Sequence, residues 1–181
     1  MSTPFELLLD LDQRVRDNSE KFLISQDAKQ HWSGVSFSLS GKRCVTPLFE
    51  VAGILRVPDS MTMVPGVKSW IKGVANNHGR LLPVVDLGEF LELGPSSASS
   101  SCRILVLEQG DLFCGLIAGS VQGVQHFEAD TFCDHIPAST PEALQPFLTG
   151  CYQKEEDYYL VFSLFALARH AGFMQVALET A

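Results

Sequence analysis

The chain has no apolar stretch long enough to cross a membrane: the longest, Tyr158 to Ala168, runs 11 of its 181 residues and is interrupted by Ser163. A spanning helix needs about 20 apolar residues. The opening Met1-Ser2-Thr3-Pro4-Phe5-Glu6 lacks a positive region, and Glu6, Asp10 and Asp12 fall where a secretion signal would be apolar, so residence in the cytoplasm is expected. Positive charge is also scarce. The 13 Lys and Arg are scattered among 21 Asp and Glu, leaving a net charge of -8 and no basic stripe, which argues against a nucleic-acid partner.

Catalytic patterns are missing as well. There is no Gly-x-Ser-x-Gly, no Cys-x-x-Cys and no glycine run with the spacing of a phosphate-cradling loop. His31, His78, His126, His135 and His170 lack the four-residue spacing that puts two ligands on one helix face. The compact grouping His126, Cys133, Asp134 and His135 falls on a long connection and would need a further ligand from elsewhere. Glu155-Glu156-Asp157 reads as a solvated hairpin tip. No catalytic residue, metal or cofactor is expected, and the chain does not read as an enzyme. The 5 cysteines are odd in number and widely spaced, and most sit in or beside apolar runs, which reads as buried free thiols.

What is present is a globular composition, 46% hydrophobic and 19% charged, enough for one domain or two small, closely packed ones. Thr3 as cap, Pro4 at the first helical position and Glu6 three residues after the cap predict a helix over about Pro4–Asp17. Leu7, Leu8, Leu11 and Val15 give it an apolar face, for its own domain or for a partner. From Trp32 the texture changes to short β-prone runs. Val35, Phe37 and Leu39 alternate, Ser40-Gly41-Lys42 turns, and Arg43 to Pro47 returns; Glu50 to Val57 is a further run. Trp70, Ile71 and Val74, the turn Asn76-Asn77-His78-Gly79 and the run Leu81 to Val85 form another hairpin, ended by a short helix that Asp86 caps.

Gly94-Pro95 and the serines to Ser101 form a low-complexity loop that divides the chain into halves with similar strand counts. Cys102 to Leu107, Leu112 to Ile117, Val121 to Phe127, Leu148 to Gln153 and Tyr158 to Phe162 are strands of the second half. Thr140-Pro141-Glu142 can start a helical turn. Ser163 caps a terminal helix with Leu164, Leu167, Ala168 and Ala171 on its apolar side, and Gly172 stops it.

The ordered set Pro65-Gly66, Trp70-Ile71-Lys72-Gly73-Val74-Ala75-Asn76, Gly79-Arg80 and Leu82-Pro83-Val84-Val85-Asp86-Leu87 resembles the CheW-like adaptor family. Val45 to Val51 and Phe113-Cys114-Gly115-Leu116-Ile117 extend the resemblance over about residues 33–171. Thr3 to Asp10, Leu144-Gln145-Pro146-Phe147 and Leu160-Val161-Phe162-Ser163 look especially like its PilI subgroup. The resemblance implies a mainly β fold of two five-stranded β-barrel subdomains side by side, flanked by an N-terminal helix and a short C-terminal helix. It divides the chain into a helical extension over 1–30, a CheW-like domain over 31–174 with subdomains split near 94–101, and a tail over 175–181.

It also implies a non-enzymatic scaffold that couples a chemotaxis-type histidine kinase, through a regulatory domain of the same fold, to the cytoplasmic tip of a methyl-accepting chemoreceptor. Other CheW-like adaptors are further partners it suggests. The PilI subgroup serves signalling to type IV pili and twitching motility, with recruitment to membrane-associated receptor arrays and no insertion into the membrane. Positions matching the family's protein-binding pattern are Val51, Ile54, Trp70, Lys72, Gly73, Asn76, Gly79, Pro83, Val85 and Asp86. Val51, Ile54 and Val85 also suit a core, Asn76 and Gly79 also serve a turn, and Asp86 also caps a helix. Trp70 is the expected anchor. Gly53, His78 and Gly119 depart from the pattern, each where the family carries a charged side chain. A competing reading is a small-molecule sensor using the groove between barrels, with His78 or His126 as polar contact.

Overall fold

The computed structural model describes residues 31–96 and 101–176; the helix expected over Pro4–Asp17, residues 97–100 of the Ser-rich loop and residues 177–181 lie outside the described residues. The described chain is mainly β. Its strands are β1 (His31–Leu39), β2 (Lys42–Pro47), β3 (Gly53–Arg56), β4 (Ile71–Asn77), β5 (Arg80–Asp86), β6 (Cys102–Gln109), β7 (Leu112–Glu128), β8 (Phe132–Cys133), β9 (Leu148–Lys154) and β10 (Asp157–Phe162). Short helices follow β5 and β10: α1 (Leu87–Phe90), α2 (Leu164–Arg169) and α3 (Ala171–Met174).

The predicted hairpins form where the turn residues allow. Ser40-Gly41 and His78-Gly79 both take positive φ at both positions, as a two-residue turn matched to strand twist requires. The caps also form. Asp86 accepts from the amides of Gly88 and Glu89 at 3.0 and 3.2 Å, and Ser163 Oγ accepts from Ala166 N at 3.1 Å.

Strand pairing does not divide the chain at the Ser-rich loop, as the sequence expectation had it. One group runs β3, β6, first half of β7, β5, β4, with β5 parallel to β7 and the other pairs antiparallel. The other runs second half of β7, β1, β2, β10, β9, with β10 parallel to β2. The two orders are the same arrangement used twice, so β1 and β2 belong with the C-terminal hairpin. This is consistent with two five-stranded barrels, sharing β7. The runs expected separately at Leu112 to Ile117 and Val121 to Phe127 are one 17-residue strand that serves both groups.

Registers make the repeat specific to single residues. A bulge puts Ile71 opposite Val85 and Gly73 opposite Val84, and the same bulge puts Leu148 opposite Phe162 and Gly150 opposite Val161. Trp70 O accepts from Asp86 N at 2.7 Å, and its counterpart Phe147 O accepts from Ser163 N at 2.8 Å. The largest core joins the groups through Phe37, Leu105, Leu107, Leu116, Phe162, Leu164 and Leu167, with smaller clusters around Leu82, Val84 and Ile104 in one group and Val45, Phe127 and Tyr152 in the other. Strand alternation sorts them: Val84 joins a small cluster and Val85 the shared core.

The terminal helix does not run to Gly172. It breaks at His170, whose extended backbone ends α2 and starts α3. The His170 ring lies against Phe90 and Phe147, and the break turns Phe173 back onto Trp70.

Candidate protein-interaction surface

Beside β3 the chain makes a 3-10 turn over Leu48–Glu50 that buries one side chain and exposes its neighbours. The Glu50 carboxylate accepts from Ser163 Oγ at 3.0 Å and from Phe165 N at 3.1 Å, pinning the turn to the start of α2. Phe49 is consequently thrust out, 76% exposed, with the Phe165 ring edge-to-face beside it. Val51 is half-buried and Ile54 is 41% exposed. A Cβ on Gly53 would meet nothing nearer than Val106 Cγ2 at 3.8 Å, so packing does not forbid a side chain there.

The repeat places Gly123 and Val124 on the second half of β7 where Gly53 and Ile54 stand on β3, with Val121 two residues before Gly123 as Val51 is before Gly53; Ile54 faces Leu105 of β6 as Val124 faces Val35 of β1. Val124 is 46% exposed. Sequence reading missed this second edge and Phe49. Available signals were the V-x-G-[IV] pattern at both places and two adjacent apolar residues, Leu48-Phe49, where strand alternation would bury only one.

The tip of the β4–β5 hairpin carries Asn76, His78 and Gly79, all exposed. Asn76 Oδ1 accepts from Gly79 N at 2.7 Å and fixes the turn. At its base the Arg80 guanidinium lies 3.7 Å over the Phe113 ring and pairs with Glu108 at 2.8 Å. Lys72 is half-buried and pairs with Glu89 of α1. Pro83 is exposed.

Four of the expected contact residues are inside instead. Trp70 is 8% exposed, between Phe90 and Phe173. Val85 belongs to the shared core, although it lies on the same strand face as exposed Pro83 two residues before it. Gly73 is buried against the Thr62 carbonyl. Asp86 is buried, and both its carboxylate oxygens are engaged, by Gly88, Glu89 and the amide and hydroxyl of Ser96. Gly119 also has a structural reason: a Cβ there would lie 2.8 Å from Ser38 O, and Ser38 Oγ accepts from Ser120 N in that space.

Trp70, Pro83 and Val85 meet Val64, Val67 and Phe113 in an open apolar groove of about 370 Å³, closed on one side by Phe173, Met174 and Val176. Neither His78 nor His126 lines it. His126 Nδ1 is 2.8 Å from Ser33 Oγ. Among the described residues no three His, Cys, Asp or Glu side chains gather as metal ligands, and no helix is long and apolar enough to cross a membrane. Cys44, Cys102, Cys114 and Cys151 are buried free thiols and Cys133 is half-buried; burial pushes Cys44 and Cys114 up to about 12.

With the repeat and its exposed edges established, comparison with known proteins is decisive. The CheW-like domain model matches residues 33–172. The chain belongs to the CheW-like family. It is 46% identical over 177 residues, 98% of each chain, to Protein PilI of Pseudomonas aeruginosa, which supports the PilI subgroup. It is 32% identical over 102 residues to Protein FrzA of Myxococcus xanthus, covering 56% of this chain and 63% of that one. Chemotaxis protein CheW of Bacillus subtilis is 30% identical over 90 residues, 50% of this chain and 57% of that one. The scaffolding protein TtCheW from Thermoanaerobacter tengcongensis shares the fold, with a TM-score of 0.65 at 24% identity over 78% of this chain and 90% of that one. This CheW-like chain is a non-enzymatic adaptor of chemotaxis-type signalling.

Proposed function

We propose that this CheW-like adaptor joins a histidine kinase, through a regulatory domain of the same fold, to the cytoplasmic tip of a chemoreceptor, in the signalling that governs type IV pili and twitching motility. The observation that carries the reading is the pair of like edges, Val51/Ile54 and Val121/Val124, each exposing an aliphatic side chain on a sheet whose inner face is packed. One chain with two such edges has the geometry of a connector. The near full-length likeness to PilI supports the pilus branch of that signalling.

Within this reading the contact residues are Val51, Ile54 and Phe49 on the β3 side and Asn76, His78 and Gly79 at the hairpin tip. Gly53 and His78 remove charge from those surfaces, which leaves recognition to shape and apolar contact rather than to a guanidinium fork. Trp70, Val85 and Asp86 serve by holding β4, β5 and α1 in place. Lys72 acts through its pair with Glu89.

Co-purification tests the proposal. The full chain is mixed separately with the kinase's regulatory domain and with a receptor tip fragment, and capture of both is expected. Capture of neither would sink the connector reading, and capture of one would reduce it to a single-partner module.

A further inference from the structure

The apolar groove beside Trp70 has a counterpart that the repeat places on the other strand group. That counterpart is lined by Lys42, Arg43, Pro137, Thr140, Asp157 and Leu160, is about 190 Å³, and is crossed by the Arg43–Asp157 ion pair. Registers equate Leu112 and Phe113 with Lys42 and Arg43, and Pro83 with Leu160. The fold therefore does not demand an apolar opening there. One copy is polar and narrow, the other apolar and about 370 Å³.

The wall peculiar to the larger groove is the C-terminal segment. Met174, the last residue of α3, and Val176, two residues on, both line it. Val176 O accepts from Lys68 N at 3.1 Å, a main-chain bond that ties the segment to the loop forming the opposite rim. The sequence continues Ala177-Leu178, so a further apolar residue stands two positions beyond that bond.

We propose that the groove is the docking site of this chain's own residues 177–181, with Leu178 as the side chain that enters it. The tether is two residues from Val176, so little chain entropy is lost on closing it. A plug held this way competes with any apolar partner segment for the same space, which gives the adaptor a self-capped groove alongside its exposed β3 and β7 edges. The inference is independent of the connector reading, since its test involves neither kinase nor receptor.

The probe is 8-anilinonaphthalene-1-sulfonate, an apolar dye whose emission rises in such grooves, excited by energy transfer from Trp70 in the full chain carrying Trp32→Phe. Leu178→Asp and deletion of 177–181 are each expected to raise the transferred emission several-fold, while Leu178→Ile leaves it low. Far-UV circular dichroism and the urea midpoint of each variant separate an opened groove from a loosened fold. Unchanged emission in both opening variants overturns the proposal. So does a rise that appears only on deleting residues 2–30, which would make the N-terminal segment the occupant. A signal in the unaltered tail that falls with protein concentration would make a second copy the occupant and overturns it too.

Discussion

Trp70 lies face to face with Phe173, ring centroids 5.9 Å apart and planes within 12° of parallel, so the entrance to β4 is stacked on α3 from the far end of the sequence. Phe90 meets both rings edge-on, each at 5.2 Å. Such a cluster gains from area burial and from ring geometry together. Trp70→Ala is therefore expected to cost about 3–5 kcal/mol of stability. Urea denaturation measures it. A wild-type midpoint accompanied by lost partner capture would instead restore Trp70 as a contact residue.

Gly73 and Gly150 hold the same place in the two repeats, at φ 139° and 150°. A Cβ on Gly73 would lie 2.5 Å from Thr62 O, and on Gly150 2.5 Å from Phe132 Cζ and 2.8 Å from Cys133 O. Backbone collision and a left-handed conformation act together, so Gly73→Ala and Gly150→Ala should each cost at least about 1–3 kcal/mol. Both meet a carbonyl, but the approach is closer at Gly73, 2.5 Å against 2.8 Å, and the nearest atom to Gly150 is on a phenyl ring that can move, so Gly73→Ala should be the worse by thermal midpoint. Equal, small losses would mean that the bulges relax freely.

Hairpins and caps were legible in the sequence because they are local: Ser40-Gly41, His78-Gly79, Asp86 and Ser163 announce themselves within four residues of what they bond. The partnership of β1 and β2 with β9 and β10 was not, since it depends on a parallel pairing between Cys44 and Leu160 that no local pattern encodes. For the same reason Gly119 looked like a lost charge, although its neighbour Ser38 lies on another strand and leaves no room for one. Among the expected contact residues, motif matching could not separate exposed Ile54 from buried Asp86. Exposure is decided by which sheet face packs, and motif position carries no record of that.

Cys44 and Cys114 are also equivalent in the repeat, and burial holds both thiols protonated up to about 12 against a usual 9.0. In the unfolded chain these thiols ionise near pH 9, while the folded chain keeps its protons. Raising the pH then favours unfolding, and stability present in full below pH 9 is lost progressively towards pH 12. The urea midpoint should fall between pH 8 and pH 10, and less so in a Cys44→Ala, Cys114→Ala double variant when each protein is compared with itself. Brief iodoacetamide treatment at neutral pH followed by mass spectrometry should find half-buried Cys133 modified before either. Alkylation of Cys44 or Cys114 in the native protein at the rate of Cys133 would contradict this.

Ile54 and Val124 provide the sharpest test of the connector, because they are equivalent by register yet lie on different strands and expose 41% and 46% of their surface. An arginine at either place can extend into water, so Ile54→Arg and Val124→Arg should leave stability within about 0.5 kcal/mol of the parent. Binding is another matter, since a charge driven into an apolar contact is desolvated without a partner. A loss of about 2 kcal/mol, roughly thirtyfold in Kd, is the scale expected of an interface residue that matters. Titration calorimetry against the kinase's regulatory domain and the receptor tip fragment measures each variant twice. Separate edges should give separate defects, one partner weakened by Ile54→Arg and the other by Val124→Arg. If both variants bind both partners as the parent does, the likeness of the two edges reflects only the repeated fold.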